Sequence, residues 1–308
     1  MDKKILILNF DDSVTRQKGL LSRYAAAIVD LKDIGPRARF WMNRNDRHAL
    51  EGRIPNQAKG AVTFLGSGDF HHVTDLLLSR YDEPICVIDF DFHPDWDILL
   101  PVLHCGSWVT RAMKRAKLIK LVMIGPSSKD MAPFFVQTGD LGSLKDDRIE
   151  IYPYSSRPAA VLFRRVPENI SLETKRRALF TKIYWNELKT KNITEAFLHI
   201  IRRLPAKKVY VTIDKDCLGT ADALTNWDQG RLPLEELLTM LKLIKENLDI
   251  VGMDITGDYS PIRVDGVFKN IASWLDHPKR VSAAELPERA VTELNERTNL
   301  KILELVTS

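Results

Sequence analysis

The amino-acid sequence predicts a three-layer α/β/α fold with a mostly parallel central sheet. Short apolar runs typical of buried strands recur along the chain, and stretches suited to helices lie between them. Helical periodicity is clearest at 232–248, where leucines and an isoleucine recur at spacings of three and four. The predicted strands are 5–8, 62–65, 85–90, 121–124, 149–152, 209–213 and 250–253.

Composition and length favour one soluble globular domain spanning 1–308. The chain is 44% hydrophobic and 28% charged, and no Pro-, Gly- or Ser-rich linker divides it. The N-terminal residues lack the apolar segment of a signal peptide, and no apolar run approaches the roughly 18 residues of a membrane helix. We therefore expect a cytoplasmic protein with no membrane partner. Cys86, Cys105 and Cys217 fall outside any CxxC pattern, which argues against disulfides or a cysteine zinc site.

The net charge of +4 is too small to indicate a nucleic-acid partner. Much of the excess lies in one basic region, for which a solvated helix face is the simpler interpretation. The region includes Arg164, Arg165, Lys175, Arg176 and Arg177.

Polar motifs follow four of the predicted strands. Segment 66–72 follows the second run, 91–97 the third and 214–216 the sixth, while Asp254 and Asp258 accompany the seventh. In open parallel sheets, ligands bind beyond the carboxyl ends of the strands. These motifs therefore predict a functional site at that edge of the sheet.

The spacing within two of these motifs predicts a metal site. In an extended backbone, Asp91, His93 and Asp95 project to the same side, and Asp214 and Asp216 repeat that geometry. Either motif alone could merely cap a helix. Together they crowd like charges, which divalent cations would make tolerable. Oxygen ligands with a minority of imidazoles suit manganese, with iron or zinc as alternatives.

Three segments resemble motifs of the ureohydrolase, or arginase-like, superfamily, which includes arginases, agmatinases, formiminoglutamases and, more distantly, zinc-dependent deacetylases. Segment 90–95, Phe-Asp-Phe-His-Pro-Asp, is similar to the family's Asp-Ala-His-x-Asp motif. Segment 211–216 is similar to Ser-x-Asp-x-Asp, and 68–71 to Gly-Gly-Asp-His. In the last segment an extra residue separates Asp69 from the histidines, so His71 is the preferred ligand and His72 the alternative.

The resemblance implies an arginase-deacetylase-like fold and a centre of two divalent metal ions. A hydroxide bridging the two ions would hydrolyse a linear C–N bond in a small guanidino, amidine or amide substrate. Relatives are often trimers or hexamers, which implies a homo-oligomer. The implied ligands are His71, Asp91, Asp95 and Asp214 for one metal, and His93, Asp91, Asp214 and Asp216 for the other.

Other residues are candidates for catalysis or substrate contact. His104 matches the family's histidine-glycine segment, where a histidine can pass protons to the departing amine, although a purely structural histidine is the alternative. Asn226, Trp227 and Asp228 lie in a loop expected near the metals and are candidate substrate contacts. Alternatively, Trp227 only packs under that loop.

One departure from the family pattern bears on the substrate. Arginases and agmatinases end the seventh strand in Glu-x-x-Pro, whose carboxylate receives the guanidinium group. We expect Gly252 to stand at the glutamate position, with Asp254 as a catalytic and Asp258 as a substrate-binding replacement. This departure puts arginase or agmatinase activity in doubt and indicates a divergent branch.

Three functional hypotheses follow. The first is a binuclear, manganese-dependent C–N hydrolase. The second is a mononuclear zinc deacylase that uses only Asp91, His93 and Asp214, which Asp95 and Asp216 argue against. The third is a metal-binding protein of the same fold that has lost its chemistry.

Overall fold

An eight-stranded sheet forms the centre of the computed structural model, which describes residues 3–100, 103–132, 136–156, 159–162, 165–266, 269–271 and 287–308. Every neighbouring pair of strands in this sheet is parallel. In spatial order the strands are β2 (Ala26–Asp30), β1 (Ile5–Asn9), β3 (Val62–Gly66), β11 (Asp249–Thr256), β10 (Lys208–Asp214), β4 (Ile85–Phe90), β5 (Leu118–Gly125) and β6 (Ile149–Pro153).

The seven predicted strands all lie in this sheet. The eighth, β2, is an edge strand whose residues are only partly or little buried. It was not predicted because its apolar run is mostly alanine, a residue that is depleted in strands. Side chains alternate between the two faces of the sheet: Leu6 and Leu8 face one apolar layer, whereas Ile5 and Ile7 face the other. This alternation follows from the two-residue repeat of a strand.

A second, antiparallel sheet contains three residues of the basic region, Lys175, Arg176 and Arg177. It comprises three strands in the order β7 (Ala159–Leu162), β9 (Phe180–Trp185) and β8 (Leu172–Arg177). Arg176 and Arg177 are exposed on β8, so the prediction of a basic helix face is wrong there. Alternating charged residues on a solvated strand lack the apolar pattern that marks a buried one. Arg164 lies outside the described residues.

Helices cover both faces of the parallel sheet. The helix predicted at 232–248 is present and begins after Pro233, while Leu237, Leu241 and Ile244 are buried on the sheet. Among the described residues, no helix has the length and apolar character needed to cross a membrane. The helices are α1 (Lys18–Arg23), α2 (Gly35–Ala38), α3 (Arg44–Arg53), α4 (Val73–Leu78), α5 (Trp108–Ala112), α6 (Leu141–Lys145), α7 (Ile193–Arg202), α8 (Leu234–Asn247) and α9 (Glu288–Thr307).

One buried carboxylate holds the helices of one layer together. Asp75 in α4 accepts hydrogen bonds of 2.8 Å from Arg47 of α3, from Arg111 of α5 and from Arg115. Its side chain is 1% exposed, whereas the arginines reach solvent. A buried charge is tolerated when it is paired and fully hydrogen-bonded.

We predict that Asp75→Asn lowers the free energy of unfolding by roughly 3 kcal/mol, because three guanidinium groups lose their shared carboxylate. Denaturant unfolding followed by circular dichroism measures this change. Glu293→Gln is the matched control, since its partner Arg289 lies on an exposed helix face, where ion pairs contribute little to stability. Equal effects of the two substitutions would contradict the role given to Asp75.

Candidate metal centre

The polar motifs converge because the strands that carry them are neighbours. Strands β3, β11, β10 and β4 lie side by side and run in the same direction, so their carboxyl ends open at one edge of the sheet. All six side chains expected to bind metal lie at or shortly after the carboxyl ends of three of these strands, β3, β4 and β10. Their convergence is therefore a consequence of strand order.

Three carboxylates surround the imidazole of His71. Its Nδ1 lies 3.1 Å from Oδ2 of Asp91, 3.2 Å from Oδ2 of Asp95 and 3.8 Å from Oδ2 of Asp214. Within the described residues, neither His71 Nδ1 nor Asp91 Oδ2 has a hydrogen bond of normal geometry. Buried polar atoms of this kind normally have a partner, and a cation among them would provide one.

A second group surrounds His93 and shares Asp91 with the first. His93 Nδ1 lies 2.8 Å from Oδ2 of Asp216 and 3.9 Å from Oδ1 of Asp91. Two sets of potential ligand atoms therefore lie side by side: His71, Asp91 and Asp214 in one, and Asp91, His93 and Asp216 in the other. The donor set of carboxylate oxygens and imidazole nitrogens fits a pair of divalent cations such as Mn²⁺.

The backbone conformation at 91–95 and 214–216 differs from the extended one that the spacing predicted. Strand β4 ends at Phe90, and Asp95 has a left-handed φ of 44°, so 91–95 is a loop rather than extended chain. Asp216 lies in a short 3₁₀ helix, and its backbone N–H donates to Oδ1 of Asp214. The backbone N–H of His93 likewise donates to Oδ1 of Asp91. These bonds leave the second carboxylate oxygens facing the site.

Two glycines leave room for Asp214. A Cβ atom on Gly68 would lie 2.6 Å from Oδ2 of Asp214, and one on Gly257 would lie 2.4 Å from Oδ1. Gly257 also has a φ of +86°, which side chains rarely adopt. The carboxylate is therefore held between two backbone segments without freedom to turn away.

The electrostatics of the centre reflect the crowding of buried charges. Burial, followed by repulsion from Asp95, raises the pKa of Asp91 well above its usual value. Burial and the neighbouring Asp216 raise the pKa of Asp214 to about 8. Although burial opposes a charged imidazole, Asp216 raises the pKa of His93 to about 10. Without cations, these groups retain protons, because each bound proton reduces the repulsion among the buried carboxylates.

The two candidate histidines in 66–72 occupy different surroundings. His71 lies among the carboxylates, whereas His72 has no hydrogen-bond partner for either ring nitrogen within the described chain. Burial, followed by the nearby His104, lowers the pKa of His72 well below its usual value. The geometry therefore favours His71 as the ligand.

A cavity of about 360 Å³ opens onto the two groups, and His104 lines it. The ring of His104 stacks on Trp41 at a centroid distance of 5.7 Å, and its Nδ1 accepts the backbone N–H of Gly106 at 3.0 Å. Burial lowers the pKa of His104 to about 4 despite nearby carboxylates. A neutral imidazole with Nδ1 as acceptor carries its proton on Nε2.

The loop at 226–228, which was expected to contact substrate, has one residue that supports the loop and two that line the cavity. Asn226 does not line the cavity, since its amide bonds to Ser67 and to the backbone of Ser260. This placement does not fit its expected role in substrate contact. Trp227 and Asp228 do line the cavity, and the Trp227 ring lies edge-on to His93 at 5.6 Å. Trp227 also packs beneath its loop, where Nε1 donates to the buried Asp69, and its contact with a substrate stays a prediction.

Asp254 and Asp258 lie behind the cavity wall. Asp254 bonds to Tyr210 and Thr212 inside the sheet, and Asp258 pairs with the buried Nζ of Lys215 at 2.7 Å. Neither side chain lines the cavity, so the catalytic and substrate-binding roles expected for them do not fit the structure.

The comparison with the Glu-x-x-Pro pattern also requires correction. Gly252 lies in the middle of β11, where a Cβ atom would meet the Tyr81 hydroxyl at 2.1 Å. The strand ends at Thr256, and counting back from Pro261 in the Glu-x-x-Pro spacing places Asp258, rather than Gly252, at the glutamate position. Strand β11 extends three residues beyond its predicted end because Ile255 continues the buried pattern after Asp254.

Several residues of the site were not identified from the sequence. Lys129 and Asp130 line the cavity from the loop after β5, a position after a predicted strand that could have marked them. Arg39 is fully buried and lies 3.1 Å from Asp69, which in turn holds Trp227. Nothing in the local sequence distinguishes Arg39 from a surface arginine.

Comparisons with known proteins agree with the fold. No protein-family model matches the chain. An uncharacterised protein of Thermotoga maritima is 27% identical over 213 residues, which cover 69% of this chain and 63% of that protein's length. Among solved structures, arginase from Bacillus subtilis superposes with a TM-score of 0.59 at 14% identity, covering 99% of both chains.

Two further structures show the same similarity. Formimidoylglutamase from Bacillus subtilis gives a TM-score of 0.59 at 12% identity, covering 99% of this chain and 87% of its own. Formiminoglutamase from Trypanosoma cruzi, solved with Mn²⁺, gives 0.56 at 13% identity over 100% and 94% of the two chains. The predicted resemblance is thus confirmed at the level of architecture: the chain has the arginase-like α/β fold.

Proposed function

We propose that this protein is a hydrolase that uses two divalent cations, preferably Mn²⁺, to cleave a linear C–N bond of a small molecule. The observation that carries the proposal is the position of Asp91, which belongs to both groups of potential ligands. Adjacent cations that share a carboxylate would acidify a water and stabilise negative charge on the substrate. His71, Asp95 and Asp214 complete one side, and His93 and Asp216 the other.

The cavity supplies the remaining parts of such a reaction. His104 lines the cavity, and because its Nδ1 accepts the backbone N–H of Gly106, the neutral ring carries on Nε2 the proton that it would pass to the departing group. Trp96 and Trp227 form apolar walls that limit access of bulk water. A site of about 360 Å³ is of a size that suits a small molecule.

The position of Asp258 bears on the substrate. An arginase-like site would place a glutamate three residues before the proline, but here that residue is Asp258, which is buried and pairs with Lys215 outside the cavity lining. Charged side chains that line the cavity outside both ligand groups include Lys129, Asp130 and Asp228. We keep guanidino, amidine and amide compounds in the proposal, and these side chains would contact the polar groups of the substrate.

Elemental analysis of the purified protein tests the metal content, and a screen of guanidino, formimino and acetylamino compounds tests the reaction. The expected results are two transition-metal ions per chain and release of urea, ammonia or free amine from one compound class. One zinc ion per chain would favour a mononuclear deacylase instead. Two bound ions without turnover of any class would favour a binding protein that has lost the chemistry.

We predict that Asp91→Ala removes both metal ions, whereas Asp216→Ala removes chiefly the ion on the His93 side. Asp91 contributes to both ligand groups and Asp216 to one. Inductively coupled plasma mass spectrometry after dialysis measures the content. Asp228→Ala is the matched control, because this aspartate lines the cavity outside both groups and should leave two ions bound. Full occupancy in Asp91→Ala would disprove the centre.

We predict that Mn²⁺ binding to the metal-free protein at pH 7 releases protons and strengthens as the pH rises. With a pKa of about 8 for Asp214 and about 10 for His93, both groups hold protons at pH 7 that the cations must displace. Calorimetric titration in buffers of different ionisation enthalpy counts these protons. A binding constant that does not change between pH 6 and 9 would contradict the assignment of these ligands.

We predict that Cys105→Ser retains the activity found in the screen within about twofold, because the proposed nucleophile is a water rather than a thiolate. Cys105 lines the cavity next to His104, its sulfur lying 3.7 Å from Nδ1. Initial rates at saturating substrate provide the measurement. Complete inactivation of a folded variant would point to a cysteine mechanism.

A further inference from the structure

A relay of hydrogen bonds runs from Asp254 through Thr212 to His71, behind the metal centre. We propose that Thr212 and Asp254 are positioning residues that keep the proton of neutral His71 on Nε2 and so present its Nδ1 as a metal ligand. The inference rests on the proposed function and extends it to residues outside both ligand groups. Three observations support it: the direction of the hydrogen bonds, the orientation of the ring and the rigidity of the strands.

The direction of the hydrogen bonds follows from the groups involved. Thr212 Oγ1 lies 2.7 Å from Oδ1 of Asp254, and the Tyr210 hydroxyl lies 2.7 Å from Oδ2. Burial raises the pKa of the Asp254 carboxyl, and the hydrogen bonds from Thr212 and Tyr210 oppose that shift. In its ionised form the carboxylate can only accept, so both hydroxyl groups then donate to Asp254. Thr212 has then used its one proton, and its oxygen must accept from Nε2 of His71 at 2.9 Å.

The ring of His71 is oriented so that its other nitrogen faces the site. With the proton on Nε2, Nδ1 carries a lone pair directed toward Asp91 and Asp95, at 3.1 and 3.2 Å. A neutral imidazole protonated on Nδ1 instead would place a hydrogen where a cation must bind. Trp108 packs against the ring at a centroid distance of 4.9 Å and limits its rotation.

The strands fix the relative positions of the relay residues Thr212 and Asp254. Thr212 of β10 pairs in register with Asp254 of β11 on one side and with Asp89 of β4 on the other, and all three residues are 0% exposed. Thr63 of β3 continues the row beside Asp254. Because these are the central strands of a parallel sheet, the relay cannot shift without moving the sheet itself.

The size of the expected effect comes from comparable arrangements. Groups that hydrogen-bond to the non-coordinating nitrogen of a metal-bound histidine fix its tautomer and raise its basicity. Their loss typically weakens metal binding by about 10- to 100-fold. Thr212→Val keeps the size of the side chain but removes both the acceptor for His71 and the donor to Asp254.

The test compares Thr212→Val with Thr63→Val, because the two threonines are equally buried in the same row and Thr63 Oγ1 has no hydrogen-bond partner among the described residues. Mn²⁺ affinity is measured by electron paramagnetic resonance of free ion. We expect Thr212→Val to bind one ion about 10- to 100-fold more weakly. We expect Thr63→Val to stay within about twofold of the wild type and Thr212→Ser to restore the affinity.

A spectroscopic measurement separates positioning from general destabilisation. The protein is loaded with diamagnetic Cd²⁺, and ¹⁵N-labelled histidine rings are observed by NMR, with His71→Gln used for assignment. The expected wild-type signature is a protonated Nε2 and a Cd²⁺-coordinated Nδ1 on His71. In Thr212→Val, the Nε2 proton should exchange faster with solvent, while the midpoint of thermal unfolding serves as the measure of stability.

Two outcomes would overturn the relay while leaving the proposed function intact. One is unchanged Mn²⁺ affinity in Thr212→Val, and the other is a wild-type His71 that coordinates Cd²⁺ through Nε2. A wild-type protein that binds no divalent cation would instead contradict the metal centre and the relay together. A loss of affinity in Thr63→Val equal to that in Thr212→Val would also contradict the relay, since packing alone would then explain both.

Discussion

Mutual repulsion among buried carboxylates is the constraint on which this site depends. Asp91, Asp95, Asp214 and Asp216 lie around two histidines and are each at most 8% exposed, and the burial of each charge raises the cost of the next. The protein bears this cost because the surrounding backbone cannot relax. Two glycines enclose Asp214, and backbone N–H groups fix one oxygen of Asp91 and of Asp214. A site of this kind is stable once positive charge enters it.

The parallel sheet holds the backbone around the site rigid. Strands β3, β11, β10 and β4 are central and covered on both faces, so the loops at their carboxyl ends start from fixed points. The same strands carry a layer of polar side chains directly beneath the site. Asp254 and Thr212 are part of that layer, which explains why an acidic residue near the end of a strand need not reach the substrate.

The sequence was sufficient for seven of the eight strands of the parallel sheet and for the convergence of the candidate ligands, because both depend on patterns that repeat over short distances. Strand 85–90 and the polar segment after it are an example. Tertiary geometry decided the rest. Asp95 reaches the site through a residue conformation with positive φ, which the sequence spacing does not reveal. The side-chain amide of Asn226 donates a hydrogen bond to the backbone of Ser260, 34 residues away. The position of Gly252 was misjudged because the end of β11 could not be located from its apolar residues alone.

Gly257 has a consequence for how this protein could change during evolution or in the laboratory. Its backbone conformation and its closeness to Asp214 mean that a side chain introduced at this position would displace the Asp214 carboxylate. Such a side chain could be accommodated only if the turn between the strand and Pro261 were rebuilt while Asp214 kept its place. The shape of this side of the centre is thus set by the main chain, whereas Lys129, Asp130 and Asp228 line the cavity with side chains that can be exchanged one at a time.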